Sequence, residues 1–260
     1  MPYSAFPENP FKKGLLSRKR MVGCWSTFGN PVSTEIMGLA GFDWLLLDAE
    51  HALNDVLSLA PQLMALKSSP SAPVVRPPWN EMVVIKRLID AGFYNFLIPF
   101  VQSEEEARKA VSYLRYPPEG VRGVAMSHRS NMYGTIPDYY KKINGNMALL
   151  VQIENIKGVE AAREIAAVDG VDAVFVGPSD LAASLGRLGD FRHPDVQRAI
   201  QRVADNVTAA GKTAAIVSAG EEDAKRYRDM GFTTIAVGSE TGLLRSASLA
   251  MAEKYKSFLA

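Results

Sequence analysis

VDGVDAVFVGP, residues 168–178, passes from a helix end into a strand and out to a new turn within eleven residues. Gly170 suits the left-handed position just past a helix C-terminus, where a side chain would be strained. The run after it is continuously apolar rather than alternating, which is how a strand covered on both faces reads. The same unit recurs at AGFDWLLLD (40–48), AGFYNFLIP (91–99), AAGKTAAIVS (209–218) and MGFTTIAVGS (230–239). Gly41, Gly92, Gly211 and Gly231 take the place of Gly170 in these repeats. MVGCWST (21–27), APVVRPP (72–78) and MALLVQIE (147–154) fit the same strand role, for eight strand candidates.

Amphipathic segments with recognisable helix starts separate most of these runs. Asn30-Pro31 is an N-cap followed by proline at the first helical position, and Ser103 with Glu106 makes a capping box. Strands alternating with helices imply right-handed βα units, and 260 residues suit one closed (β/α)8 TIM barrel, residues 1–260 forming a single domain. A doubly wound open sheet is the rival architecture, and no G-x-G-x-x-G or Walker loop supports it. Residues 117–146 and 181–195 exceed simple connections and are expected to shape the active-site mouth. The final stretch, TGLLRSASLAMAEKYKSFLA, reads as one long helix that either closes this barrel or packs on a neighbouring subunit.

Composition narrows the function classes. Apolar residues make up 47% and charged residues 22%, with a formal net charge of +1 and no long basic or acidic run. Nucleic acid and membrane are therefore not expected partners. The single cysteine, Cys24, excludes an internal disulfide framework and reads as a buried inert thiol. The N-terminus lacks a signal-peptide pattern and no apolar stretch reaches membrane-spanning length, so a cytoplasmic protein is expected.

In a TIM barrel the chemistry sits at the C-terminal strand ends. The second run ends in Asp48, Glu50 and His51, the third carries Arg76, the fifth Gln152 and Glu154, and the sixth is followed by Ser179 and Asp180. Glu154 and Asp180 form a two-carboxylate pair suited to a divalent metal with positions open for substrate. Taken singly, Asp180 reads equally as a helix cap and Glu154 as a surface charge. Arg76 suits bidentate binding of a carboxylate or enolate oxygen, with a structural ion pair as its alternative. His51 is a candidate general base that Asp48 or another carboxylate would orient, although a lone histidine is more often structural. His128 and Arg129 are candidates for a distal substrate group, with a plain loop-surface role equally compatible. No strand run contains the lysine that a Schiff-base aldolase needs, so the electron sink is expected to be the metal.

LLLDAEHALND, APVVRPP, FLIPFV, YPPEGVRGV, LLVQIEN and VFVGPSDLAASLG resemble the class II pyruvate aldolases from about residue 14 onward. These enzymes act on 4-hydroxy-2-oxoheptanedioate or 2-dehydro-3-deoxyglucarate (5-keto-4-deoxyglucarate). The blocks GCWSTFGNPVSTEIMGLAGFDWLLLDAEHALND and GFYNFLIPFV are most similar to the second branch. The resemblance implies metal-dependent cleavage into pyruvate and an aldehyde, tartronate semialdehyde for the sugar diacid, in carbohydrate acid catabolism. It implies Glu154 and Asp180 as ligands of magnesium, manganese or cobalt, and Gln152, Pro178 and Ser179 as substrate-pocket residues. Arg76 becomes the 2-oxo acid and enolate binder, His51 with Asp48 the base, and Asp90 an acidic residue at a subunit contact near the site. The implied assembly is a homohexamer, a trimer of dimers exchanging the last helix. Ala49, Leu53, Trp79 and IVSAGEED depart from the family pattern and leave the aldehyde partner open. An acyl-coenzyme A lyase of the wider superfamily and a catalytically silent barrel are the rival readings.

Overall fold

The computed structural model describes residues 6–259. All eight expected strands form: β1 (Met21–Ser26), β2 (Trp44–Asp48), β3 (Ala72–Arg76), β4 (Asn95–Ile98), β5 (Ala148–Ile153), β6 (Ala173–Val176), β7 (Thr213–Val217) and β8 (Thr234–Ser239). Each pairs in parallel with its neighbour, and β8 pairs with β1 to close the barrel. Gly41, Gly92, Gly170, Gly211 and Gly231 all have positive φ. At Gly92 (φ 114°) this conformation ends the helix Met82–Ala91 by turning its N–H onto Ile89 and Leu88 carbonyls.

The uninterrupted apolar runs are explained by two cores on either side of one sheet. Trp44, Leu46, Val74, Leu97, Leu150 and Phe175 fill the barrel interior. Their chain neighbours Leu45, Leu47, Val75, Phe96, Ile98, Leu149 and Val174 pack outward beneath the helices. The two-residue period therefore sends alternate side chains into different cores. One further inward step on β2, β3 and β5 reaches Asp48, Arg76 and Gln152. All three are buried polar residues at the C-terminal strand ends.

The N-terminal end is sealed by the helix Pro10–Leu16, which drives Phe11 and Leu15 into the interior core against Trp44. Its cap, Asn9, also donates from Nδ2 to Asn95 Oδ1 at 2.7 Å. Lys12 pairs with the buried Asp172 at 3.1 Å.

Three expectations are corrected here. The segment 117–146 follows the helix Glu104–Leu114 rather than a strand, so it lies at the N-terminal end of the barrel, away from the mouth of its own chain. Arg129 goes with it and donates to Ala91 O at 2.9 Å, and His128 sits buried beside Tyr139. Neither reaches a distal substrate group in its own barrel. The capping box is offset: Ser103 accepts from Glu106 N, but the Glu106 carboxylate reaches Gln102 N at 2.7 Å instead of the cap residue's own N–H. The final helix, Glu240–Leu259, buries only Glu240 and does not close its own barrel, which the β8–β1 pairing does. Leu243, Leu244, Leu249, Met251 and Phe258 stand exposed along it. Among the described residues no helix is long and apolar enough to cross a membrane.

Candidate active site

Asp48 and Arg76 face each other across the β2–β3 register. The guanidinium donates from Nε to Asp48 Oδ1 at 2.8 Å and from Nη2 to Oδ2 at 2.7 Å, a two-point grip on one edge. Glu50 N–H holds Asp48 Oδ1 at 3.0 Å, and Asn54 Nδ2 donates to the Asp48 carbonyl at 2.7 Å. Glu50 Oε2 lies 2.9 Å from Arg76 Nη1, off the line of its N–H, so the contact is an ion pair without a directed hydrogen bond. Trp25 packs its ring 5.5 Å from the Arg76 guanidinium carbon. Burial opposes the arginine's charge, and Asp48 and Glu50 more than offset it, leaving the guanidinium more basic than usual.

Glu154 follows β5 and is only 4% exposed. Gln152 Nε2 donates to its Oε1, while Gln152 Oε1 stays buried without a partner. A side chain at Gly177 would come within 3.0 Å of Gln152 Nε2 and 3.1 Å of Glu154 Cγ, so glycine gives both residues their room. Asp180 is exposed in the first turn of the helix Pro178–Ser184, whose cap position is Gly177, not Asp180. A cavity of about 430 Å³ opens here, lined by Arg76, Gln152, Pro178, Ser179 and Asp180 together with Trp25 and the ends of β7 and β8. A cavity of about 490 Å³ at the opposite end lies among Asn9, Tyr94 and Arg129, far from the paired carboxylates.

The electrostatics of the mouth are unbalanced. Burial, then the charges of Glu50 and Asp180, push the Glu154 carboxyl up to about 8. Burial also raises Glu50, against the pull of Arg76. The Arg76 charge opposes both shifts, and Asp48 already holds one of its edges. A divalent cation fits this donor set: oxygen ligands, surplus negative charge and positions left for substrate. Among the described residues no three His, Cys, Asp or Glu side chains are grouped to hold an ion by themselves. The fit is thus to an ion bound by two carboxylates and completed from solution.

Of the residues singled out in sequence, Asp48, Arg76, Gln152, Glu154, Pro178, Ser179 and Asp180 come together. His51 stands on the rim, its side chain 66% exposed, with Nε2 3.8 Å from Glu50 Oε2. Asp90 lies at the other end of the barrel, where its carboxylate pairs with Arg122 at 3.0 Å. Arg76 is both a structural ion-pair member and a cavity wall. The Cys24 thiol is buried and pushed up to about 11 by burial, an inert thiol. Glu50, which the sequence places at the end of the second run without assigning it a role, stands against Arg76. The signal was present: two residues beyond Asp48, it shares the inward parity.

The sequence pattern of the HpcH/HpaI aldolase/citrate lyase family matches residues 21–247. This chain belongs to that family. It is 56% identical over 256 residues to the 5-keto-4-deoxy-D-glucarate aldolase of Escherichia coli, covering 98% of this chain and all of that one. Among solved structures, an HpcH/HpaI aldolase/citrate lyase family protein from Burkholderia cenocepacia superposes with a TM-score of 0.92 at 39% identity, over 95% of this chain and 99% of that one. The HpcH/HpaI aldolase from Desulfitobacterium hafniense gives 0.88 at 28% identity, with 97% of each chain covered. Family membership makes this barrel a carbon–carbon lyase of the aldolase type.

Proposed function

We propose that this aldolase cleaves 5-keto-4-deoxyglucarate reversibly into pyruvate and tartronate semialdehyde, with Glu154 and Asp180 holding magnesium, manganese or cobalt. The observation that carries the reading is the convergence of Glu154, Asp180 and Arg76 at one mouth with no lysine in any strand. The full-length identity to the E. coli aldolase supports the choice of acid. When bound, the ion supplies Lewis-acid polarisation of the 2-oxo group.

The side chains divide the remaining work. Arg76 has five N–H groups; two are hydrogen-bonded to Asp48 and Nη1 pairs with Glu50 without a directed bond, so each terminal nitrogen keeps an N–H for a substrate oxygen. That pair binds the carboxylate or the developing enolate oxygen and is held in place before substrate arrives. Gln152, Pro178 and Ser179 shape the pocket around the 2-oxo acid. His51, directly or through a water, takes the proton of the C4 hydroxyl. The C3–C4 bond then breaks, its electron pair passes to the C2–C3 enolate, and the aldehyde leaves. Protonation of C3 yields pyruvate.

The working enzyme is a cytoplasmic homohexamer, a trimer of dimers, in which the final helix passes to a neighbour and Asp90 reaches the neighbour's site. The exposed apolar side chains of that helix support this assembly, because a monomer leaves them in water.

The deciding experiment follows pyruvate release, coupled to lactate dehydrogenase and NADH, from 5-keto-4-deoxyglucarate and from 4-hydroxy-2-oxoheptanedioate, with and without EDTA. Metal-dependent release favouring the sugar diacid is expected. Equal or greater activity on the heptanedioate would move the protein to the other branch, and EDTA-insensitive release would remove the metal from the reaction.

A further inference from the structure

We propose that Glu50 is a positioning residue of this reaction: it sets the Arg76 guanidinium and the His51 imidazole in one arrangement and adds the negative charge that draws the divalent ion to Glu154 and Asp180. The inference rests on the aldolase reading above and extends it to a residue with no role there.

One oxygen of Glu50 faces both groups. Oε2 lies 2.9 Å from Arg76 Nη1 and 3.8 Å from His51 Nε2. It is buried and makes no directed hydrogen bond, so it remains an acceptor with capacity to spare. Asp48 is not available for this task. Its two oxygens hold Arg76 Nε and Nη2, and Oδ1 also receives the Glu50 N–H. The carboxylate that His51 finds is Glu50, from the adjacent residue.

The grip on Arg76 has a simple mechanical logic. Asp48 clamps one edge of the planar guanidinium, and a planar group held at one edge can still rock about it. The charge of Glu50 beside Nη1 opposes that motion from the far side. The two remaining N–H groups then keep one aim, which an enolate-binding fork requires.

Charge gives Glu50 its second effect. Glu50 stands against Arg76, which lines one cavity with Asp180 and with Gln152, the donor to Glu154, so its charge adds to that of Asp180 at Glu154. With Arg76 committed to Asp48 and Glu50, a cation entering between Glu154 and Asp180 relieves a repulsion that Glu50 strengthens. Removing that charge while preserving the shape of the side chain weakens cation binding without deleting a ligand.

The test compares wild type, Glu50→Gln and Glu50→Asp as full-length proteins of verified fold and oligomeric state. Three quantities are read: the Mn2+ dissociation constant by calorimetric titration, kcat and KM for pyruvate release, and deuterium exchange into the pyruvate methyl group. Glu50→Gln is expected to weaken Mn2+ binding about 10-fold and to lower kcat about 10- to 100-fold with KM nearly constant. Glu50→Asp keeps the charge on a shorter arm, so Mn2+ affinity stays within about twofold of wild type while kcat falls. Wild-type Mn2+ affinity and wild-type kcat in Glu50→Gln would overturn the proposal and leave the aldolase reading intact. So would a loss expressed wholly in KM. A wild-type protein that neither releases pyruvate nor exchanges its methyl protons with Mn2+ present would overturn the aldolase reading itself, and the role of Glu50 with it.

Discussion

The two ends of this barrel are built from the same kinds of residue and settled in opposite ways. At the N-terminal end Lys12 meets Asp172, which also accepts from Leu149 N at 2.9 Å, and Asn9 bridges to Asn95 and the Asn146 carbonyl. Within this Lys12–Asp172 and Asn9–Asn95 cluster, charge and hydrogen-bonding capacity are matched. At the C-terminal end Glu50 and Glu154, both repelled by Asp180, share the field of Arg76, whose edge Asp48 already holds. One end stabilises the fold, and the other keeps a charge imbalance that a ligand can relieve.

Neutralising one carboxylate tests this contrast most strongly. Glu154→Gln is expected to lower pyruvate release on the order of 10³-fold, the scale of losing several kcal/mol of Lewis-acid stabilisation. Above pH 8 the same variant should melt higher than wild type in EDTA, because the carboxylate that is charged and repelled there has become a neutral amide. A lower melting temperature would show that the mouth carries no conflict.

A substitution at the sealed end should do the reverse. Phe11→Ala removes a buried ring packed on Trp44 and is expected to cost about 3 kcal/mol in urea unfolding. Its kcat per folded molecule should match wild type; a matching collapse of kcat would mean the two ends are not separable.

Metal and pH sharpen the comparison further. Saturation to about 100 times the dissociation constant should stabilise the protein by about 2.7 kcal/mol. The Glu154 carboxyl is raised to about 8, so its contribution to stability is full below its ordinary value of 4.5 and is lost as pH rises through 8. Metal-free protein should therefore lose melting temperature between pH 5 and 8, and bound Mn2+ should flatten that slope. Ion binding near pH 7 should release about one proton, measurable by titration in buffers of different ionisation enthalpy. An unchanged slope with and without metal would remove Glu154 from the site.

The smallest effect belongs to Asn9→Ala, which deletes a helix cap and the bond to Asn95. It should cost about 1–2 kcal/mol and leave Mn2+ affinity untouched.

The barrel was readable because each strand ends in punctuation and is apolar on both faces. Gly41 and Gly170 announce helix ends, and runs such as WLLLD and AVFV admit no solvent-facing side. Most of the site was readable by the same logic, since Asp48, Arg76 and Gln152 break apolar runs at the strand ends. Residues 117–146 misled because a long connection looks alike whether it follows a strand or a helix, and only the latter applies. His51 and Asp90 fall outside the cluster for a different reason: one stands at the rim and the other belongs to the opposite end of its own chain.

Periodicity, glycine placement and the polar residues at run ends depend on local chemistry, so they settle the (β/α)8 order and single out Arg76, Glu154 and Asp180 as candidates without coordinates. The raised Glu154 carboxyl, the single Glu50 oxygen shared by Arg76 and His51, and the separation of Asp90 from the site arise between strands and loops distant in the chain. Through-space charge and close packing depend on distance, and folding alone sets those distances.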